Sequence, residues 1–265
     1  MNYRKVLGVV IILLPYAIFG AIYFLLGKWP NYLFGEIDIE GIYNLEKELF
    51  GITLNDGTRV TLQEYFRDNH WAFMDILSGL LYLCWMPVPV LYTLVLYFQH
   101  RESLAMRLSC AFLMVNLIGF CIYYIHPASP PWYVMKYGFE PIFNTPGSEA
   151  GFANFDKLTG IGLFRGFYGN NANVFAAVPS LHSAYNVIAF YYAMKVRDNW
   201  FWKIFTFIVM IGICFTAVYS AHHYTIDVIL GVLTALAGVA VFELTIKHCN
   251  GMKKAFSGII NVIKQ

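Results

Sequence analysis

Six apolar stretches, each close to the length that a helix needs to cross a bilayer, dominate this chain of 265 residues. A hydrocarbon core about 30 Å thick requires roughly 20 apolar residues per helix. Charged residues make up only 13% of the sequence, about half of their share in soluble domains. The pattern predicts an all-α integral membrane protein, a six-helix bundle that forms one domain over residues 1–265. The predicted spans are Val6–Leu26, Met74–Phe98, Leu108–Ile125, Val174–Val196, Phe201–Tyr219 and Ile226–Ile246.

Basic residues are concentrated on one side of these spans, which predicts the orientation of the bundle. Lys and Arg near span ends favour the cytoplasmic side. Both termini are therefore expected in the cytoplasm, with the two long loops, residues 27–73 and 126–173, outside. Eleven of the eighteen basic residues fall on the inner side: Arg4, Lys5, Arg101, Arg107, Lys195, Arg197, Lys203, Lys247, Lys253, Lys254 and Lys264.

The overall charge and the lack of glycosylation sequons narrow the partners and the compartment. A net charge of +2 provides no basic excess for a nucleic-acid partner, so none is expected. No Asn-x-Ser/Thr sequon occurs in the chain, which favours a bacterial inner membrane over a glycosylating compartment.

Both long outer loops are expected to contain short amphipathic helices. Apolar residues recur at helical spacing among charged ones over residues 39–49. The segment Thr61–Glu64 has the form of a capping box that opens another helix, and Asn55–Thr58 predicts a turn between short β-prone pieces. The simplest interpretation is a loop that folds over the bundle without a direct chemical role.

The motif Pro-Ser-Leu-His-Ser, residues 179–183, stands at the outer end of the fourth predicted span. Pro179 suits a first helical turn, where its missing N–H costs nothing. His182 is then placed near a helix N-terminus. Free backbone N–H groups and the helix dipole make such a position receptive to a phosphate.

A second motif, His-His-Tyr-Thr-Ile-Asp over residues 222–227, opens the sixth predicted span. His223 and Asp227 are four residues apart, so they are expected on one helical face. A carboxylate there holds an imidazole in one tautomer and leaves its other nitrogen free to attack. Both motifs lie at the same outer level, so we expect His182, His223 and Asp227 to be catalytic. Their neighbours are expected to contact the substrate: Ser180, Ser183, His222 and Tyr224.

Each feature also has a simpler explanation. A histidine at a helix end is often interfacial, and Asp227 can merely cap a helix or form an ion pair. Metal binding by His222, His223 and Asp227 is a competing interpretation, disfavoured because adjacent side chains on a helix diverge by about 100°. Ionisable groups near hydrocarbon are costly unless they are used, which favours catalysis without a metal or a cofactor.

Other residues near the outer ends of the spans are candidates for the substrate site. Trp132 and Tyr133 follow two prolines, and they either anchor the chain at headgroup level or line the site. Asp75, near the outer end of the second span, is expected to face the same cavity. Lys136 and Arg165 are candidate phosphate ligands, although each is also consistent with a solvated loop charge.

Together these residues resemble the type 2 phosphatidic acid phosphatase superfamily. The Pro-Ser-x-His pattern ending at His182, followed by His-Tyr-x-x-Asp from His223 to Asp227, is similar to the motifs of that superfamily, whose members share a six-helix membrane core and a phosphohistidine mechanism. With Pro-Pro-Trp-Tyr upstream, the chain most resembles the inositol phosphorylceramide synthase and sphingomyelin synthase branch. The resemblance implies that His223 is the nucleophile, Asp227 its orienting partner and His182 the acid and base.

Two departures from the phosphatase pattern favour a phosphodiester substrate. The phosphatases carry Lys-x6-Arg-Pro and an Arg six residues before the nucleophile, whereas this chain has no Arg-Pro and has Ala217 at that position. A monoester carries nearly two negative charges and needs those cations more than a diester does. The resemblance then implies a transferase that moves phosphoinositol from phosphatidylinositol to ceramide or dihydroceramide. The alternatives are a lipid phosphate phosphatase and a transporter, the latter disfavoured because no inverted repeat is apparent.

Overall fold

A computed structural model describes residues 3–169, 173–197 and 199–264 of the chain. Nearly all of the regular structure is helical. Besides a 3-10 helix at Asn31–Leu33, two short strands, β1 (Ile52–Thr53) and β2 (Arg59–Val60), form an antiparallel hairpin. The helices are α1 (Tyr3–Leu26), α2 (Glu40–Phe50), α3 (Leu62–Asp68), α4 (Ala72–Tyr82), α5 (Pro87–Phe98), α6 (Glu102–Ile125), α7 (Pro131–Tyr137), α8 (Phe152–Thr159), α9 (Leu163–Tyr168), α10 (Leu181–Met194), α11 (Trp200–Tyr219), α12 (Thr225–His248) and α13 (Asn250–Ile263).

In the described part of the chain, α1, α6, α11 and α12 are long and apolar enough to cross a membrane. Helices α4 and α5, bent by 46° relative to each other, are long and apolar enough to cross a membrane only if the pair forms one span, which gives four or five spans. The bend arises because Pro87 and Pro89 lack the N–H groups that would continue α4, so a new helix begins at Pro87. The Trp85 carbonyl, which Pro89 leaves without a helical donor, accepts a hydrogen bond from Asn186 Nδ2 at 3.2 Å. The prediction of a helical, multi-pass membrane protein is confirmed.

The fourth predicted span, Val174–Val196, differs from the structure. Helix α10 contains only 14 residues and rises about 21 Å, so the described residues do not give six spans of full length. It packs against α5, α6, α11 and α12 at the centre of the bundle, and ten of its residues are buried. A helix enclosed by protein does not have to match the thickness of the lipid, and irregular backbone can precede it.

The N-terminal end of α10 meets the first turns of α12 through the backbone. The Ser180 N–H donates to the Asp227 carbonyl at 2.9 Å, and Ser180 Oγ accepts from the Ser183 N–H. A Cβ atom on Gly231 would lie 2.2 Å from the Ser180 carbonyl oxygen, so only glycine permits this approach. Pro179 precedes the cap instead of lying in the first turn, because the serine hydroxyl takes the capping position.

The first outer loop packs on the start of α12. Helix α2 buries Glu46, whose carboxylate accepts hydrogen bonds from the N–H groups of Thr225 and Ile226 at 2.9 and 3.1 Å. These N–H groups belong to the first turn of α12 and have no partner within that helix. The buried amide of Gln63, in α3, donates to both Glu46 and the His223 carbonyl. The loop therefore holds the backbone around the second motif.

Two local predictions for this loop are confirmed. Thr61 and Glu64 form the predicted capping box at the start of α3. The turn at Asn55–Thr58 connects β1 and β2. The capping box places Gln63 in the first turn of α3, facing the bundle.

The second outer loop packs tightly on the same end of the bundle. Phe152 and Phe155 of α8 and Phe164 of α9 form one apolar cluster with Tyr82 of α4. Helix α4 approaches α8 so closely that a Cβ atom on Gly79 would lie 2.1 Å from the Phe155 ring. Aromatic packing, rather than regular secondary structure, thus holds this loop in place.

Gly231→Ala is expected to lower the unfolding temperature of the purified protein in detergent. The added Cβ would overlap the Ser180 carbonyl and push α12 away from α10, at a cost of about 1–3 kcal/mol. Gly258→Ala in α13 is the matched control, since no atom lies within 4 Å of an added Cβ there. Equal unfolding temperatures for the two variants would contradict the close approach.

Glu46→Ala is expected to destabilise the fold by about 1–3 kcal/mol, because it leaves the part-buried N–H groups of Thr225 and Ile226 without an acceptor. Thermal unfolding monitored by tryptophan fluorescence measures the effect. Glu48→Ala, an exposed position on the same helix, should leave the unfolding temperature nearly unchanged. A Glu46→Ala protein as stable as the Glu48→Ala protein would show that the carboxylate does not support α12.

Candidate active site

The two histidines of the separate motifs face each other. His182 Nδ1 lies 3.3 Å from His223 Nε2, although the residues are 41 positions apart in sequence. His182 occupies the first turn of α10, directly after the Ser180 cap. The edge of Trp85, in the break between α4 and α5, packs against the His182 ring with centroids 4.8 Å apart. The expected convergence of the motifs is thus present in the fold.

His223 reaches Asp227 from outside the helix. The expectation that both residues lie on one helical face is wrong, because α12 begins at Thr225 and Tyr224 takes the capping position. Asp227 Oδ2 accepts from the Tyr224 N–H at 2.8 Å and lies 3.4 Å from His223 Nδ1. The turn before α12, and not a shared helical face, therefore brings His223 close to Asp227.

The contacts of His223 define its protonation. The Asp227 carboxylate, which is completely buried, favours a proton on His223 Nδ1 and leaves the lone pair on Nε2. Nε2 then accepts from His182 Nδ1–H. Burial lowers the pKa of His223 to about 4, and a backbone hydrogen bond at Ala177 opposes the shift. His223 is thus a neutral imidazole at pH 7 with its nucleophilic nitrogen directed toward His182.

His222 has a different environment from His223. Its ring packs against Tyr168 at 4.4 Å, Phe152 at 5.0 Å and Tyr82 at 5.7 Å between centroids. Nε2 lies 3.1 Å from the Glu149 carbonyl oxygen, so it carries the proton and donates. Burial, followed by the neighbouring imidazole of His223, lowers the pKa of His222 well below its usual range. His222 is a neutral residue that joins the second outer loop to the active-site turn.

A cavity of about 60 Å³ adjoins the histidines. Four of the predicted site residues are among those that line it: Trp132, His182, His222 and His223. No Lys, Arg, Asp or Glu is found among the described lining residues. The cavity is smaller than most sites for small ligands.

Several predicted substrate contacts make structural interactions instead of lining this cavity. The Ser180 and Ser183 hydroxyls lie 3.1 Å apart in the cap of α10, and both are buried. Tyr224 is the fully buried first residue before α12. The Tyr133 hydroxyl donates to the Glu140 carbonyl at 2.7 Å. Their predicted contact with substrate stays a prediction.

The three charged candidates also lie outside the described cavity lining. Asp75 is buried, accepts from the Tyr219 hydroxyl at 2.9 Å and lies 2.9 Å from His70 Nδ1. Lys136 and Arg165 are both exposed on the second outer loop. The structure therefore does not bring these three side chains to His182 and His223.

Sequence reasoning missed Glu46 and Gln63, which hold the backbone of the second motif. Both side chains are completely buried, and their partners lie up to 180 positions away in the chain. Glu46 lies four residues after Ile42, on the same buried face of α2, where a carboxylate is unusual unless it has partners. The helical position of Glu46 among apolar residues was the available signal, whereas exposed Glu48 lies on the opposite face.

Ala217 occupies the position at which the phosphatase pattern requires an arginine. It is completely buried in the apolar cluster around Tyr82 and Phe152. Its carbonyl accepts from the N–H groups of both His222 and His223, at 3.1 and 3.0 Å. Where the phosphatase pattern has a cation, this chain has a small buried side chain whose backbone carbonyl binds the turn at His222 and His223.

Three curated relatives match most of the chain. Phosphoinositol dihydroceramide synthase of Bacteroides thetaiotaomicron is 50% identical over 252 residues, which are 95% of this chain and 82% of that protein. Inositol phosphorylceramide synthase of Candida albicans is 27% identical over 88% of this chain and 47% of its own length. The Saccharomyces cerevisiae inositol phosphorylceramide synthase catalytic subunit AUR1 is 26% identical over 88% of this chain and 55% of its own.

No solved structure matches the chain significantly. The family model described as PAP2 superfamily matches residues 56–241, which include both histidine motifs, all of α10 and most of α12. That range extends from the turn of the first outer loop to the inner half of α12. The resemblance inferred from the motifs is confirmed, and the chain belongs to the PAP2 superfamily.

Proposed function

We propose that this protein transfers phosphoinositol from phosphatidylinositol to the hydroxyl group of dihydroceramide or ceramide. The observation that carries the proposal is the chain of contacts from Asp227 through His223 to His182, at 3.4 and 3.3 Å. This arrangement contains one nucleophilic nitrogen and one proton donor. The identity of 50% with a phosphoinositol dihydroceramide synthase supports the choice of substrates. The relatives' names give no support to the alternative, a lipid phosphate phosphatase.

In the first step, His223 Nε2 attacks the phosphorus of phosphatidylinositol. The anionic phosphate favours the imidazolium form of His182, with protons on both ring nitrogens. The bond between phosphorus and the diacylglycerol oxygen breaks, and the His182 imidazolium donates its Nδ1 proton to that oxygen. Diacylglycerol leaves, and phosphoinositol stays bound to His223. Asp227 stabilises the positive charge that develops on the imidazole, because its carboxylate lies beside Nδ1.

In the second step, the direction of proton transfer reverses. His182, now neutral and unprotonated at Nδ1, removes the proton from the ceramide hydroxyl as the oxygen attacks phosphorus. The bond between phosphorus and His223 Nε2 breaks, and inositol phosphorylceramide is released. His182 ends the cycle with its proton restored, so the enzyme returns to its initial state.

The separation of the two histidines must increase during this cycle. Attack requires His223 Nε2 to lie about 3 Å from phosphorus, and the hydrogen bond from His182 Nδ1 to the leaving oxygen spans about 3 Å more. The nitrogen atoms are only 3.3 Å apart in the structure. We therefore propose that the substrate phosphate enters between the rings and breaks their hydrogen bond. The aromatic outer loops then exclude water, which favours a lipid alcohol as acceptor.

We propose that both termini lie in the cytoplasm, with the histidines near the opposite membrane surface. The basic residues concentrated around the inner ends of the spans support this orientation. The packing of α1 on α6 and of α13 on α12 supports a single membrane domain over residues 1–265. The bacterial relative of 50% identity is consistent with a bacterial inner membrane.

His223→Ala is expected to abolish transfer, and His182→Ala to lower it by about 10²–10⁴-fold, the usual range for losing a general acid and base. Asp227→Asn should lose less, because Asp227 orients and stabilises the imidazole without reacting. The measurement is formation of inositol phosphorylceramide by purified protein in detergent. Phosphorus-labelled phosphatidylinositol without ceramide should label the protein, and His223→Ala should remove that label.

His248→Ala, at the far end of α12, is the matched control for these variants and should retain full transfer. Unfolding temperatures of all four proteins separate loss of chemistry from loss of fold. Near-normal turnover by a folded His223→Ala protein would exclude the phosphohistidine mechanism.

Product formation is expected to depend on a lipid alcohol, and phosphatidic acid should be a poor substrate. The described cavity lining contains no cation to balance the second charge of a monoester. The experiment compares inositol phosphorylceramide formation with phosphate release from phosphatidic acid under identical detergent conditions, with His223→Ala as the background. Rapid phosphate release without a ceramide-linked product would overturn the transferase proposal in favour of the phosphatase.

A further inference from the structure

A second and larger cavity lies at the opposite end of the bundle from the histidines. Its volume is about 660 Å³, and it is enclosed by the ends of α6, α12 and α13. Lys247, which lines it, is 20 residues after Asp227 on the same helix, a distance of about 30 Å along the axis. The cavity is therefore too remote to take part in phosphoryl transfer, and its size matches that of sites for small ligands.

The cavity carries an excess of positive charge. Lys247, Lys253 and Lys264 line it, together with Arg107 and Glu243. The Glu243 carboxylate is occupied, since it forms an ion pair with Arg107. Over residues 3–169, 173–197 and 199–264, no carboxylate forms an ion pair with any of the three lysines. Three exposed lysines thus line one cavity, and among the described residues none of them is ion-paired with a carboxylate.

The ion pair of Arg107 and Glu243 lines the cavity and is held in place by neighbouring helices. The Tyr192 hydroxyl donates to the Glu243 carboxylate at 2.8 Å, and the Arg107 guanidinium lies 5.2 Å from the centre of the Phe256 ring. Both charged side chains are only about a quarter exposed, at 26% and 27%. These contacts join α6, α10, α12 and α13, so the site is built by the bundle and is not a chance gap between loops.

The walls of the cavity are apolar on the side of the bundle. Leu244, Phe256 and Ile260 line it beside the lysines. Away from the cavity, Val262 of α13 is 57% exposed, which is typical of a helix that lies in a membrane interface. The cavity therefore combines cations at headgroup level with apolar surface next to the acyl chains.

We propose that this cavity binds one anionic phospholipid, with the headgroup phosphate between the three lysines and an acyl chain along the apolar wall. Clustered lysines between membrane helices recognise lipid phosphate through charge, and the amphipathic lining selects a lipid over a soluble anion. The bound lipid would join α13 to α6 and α12. This site is independent of the transfer reaction and of its substrates.

The test is a titration of delipidated protein in neutral detergent with phosphatidylglycerol or phosphatidylcholine, followed by native mass spectrometry. The wild-type protein is expected to hold phosphatidylglycerol about tenfold more tightly than phosphatidylcholine. The triple variant Lys247→Gln, Lys253→Gln, Lys264→Gln should lose this preference. Any phosphatidylglycerol held at the histidine site is common to both proteins, so their difference reports the second cavity alone.

Lys254→Gln is the matched control, because Lys254 is exposed on the same helix and does not line the cavity. It should keep the wild-type preference. Elution as a monodisperse species and an unchanged unfolding temperature show that each variant is folded. A triple variant that retains the preference, or a control that loses it equally, would overturn the proposal. Displacement of phosphatidylglycerol by excess inorganic phosphate would assign the cavity to a soluble anion and would also overturn it.

Discussion

The backbone contact between Ser180 and α12 is the interaction on which the active site depends. The Ser180 N–H donates to the Asp227 carbonyl, and the bare α-carbon of Gly231 allows the Ser180 carbonyl to approach α12. His182 follows Ser180 by two residues and lies in the first turn of α10, so its backbone position is set by the same contact. Because these are backbone contacts, the relation between the two motifs does not depend on flexible side chains. The 3.3 Å contact of His182 with His223 follows from that geometry.

The outer loops complete what the membrane helices begin. Glu46 satisfies the Thr225 and Ile226 N–H groups, and Asp227 satisfies that of Tyr224. Unpaired donors at a helix start would otherwise need water, which the reaction must exclude. Because protein carboxylates accept from these three N–H groups, the start of α12 does not require water to satisfy them. It also means that these N–H groups are not available to bind the substrate phosphate.

Hydropathy predicted the helical membrane architecture, and the two motifs indicated the family, because each of these depends on local pattern. The motifs also predicted that His182, His223 and Asp227 converge, as they do, whereas their catalytic role stays a prediction. The sequence alone did not show that α10 would be short, since protein rather than lipid surrounds this helix. The contact between His223 and Asp227 was predicted from a shared helical face. In the structure α12 begins only at Thr225, so His223 reaches Asp227 from the turn before the helix. Glu46 escaped prediction altogether, since its role comes from a hydrogen bond across 179 positions.

The charges around the nucleophile favour a phosphodiester over a monoester. Two buried carboxylates, Asp227 and Glu46, lie at the start of α12, and Ala217 fills the position of the phosphatase arginine. No described residue that lines the cavity is a lysine or an arginine. A phosphate with two negative charges would meet repulsion in this poorly solvated site without compensation, whereas a diester brings one charge. Arginine at position 217 would have to displace aromatic packing from α8 and α9, so the fold itself opposes conversion to a phosphatase.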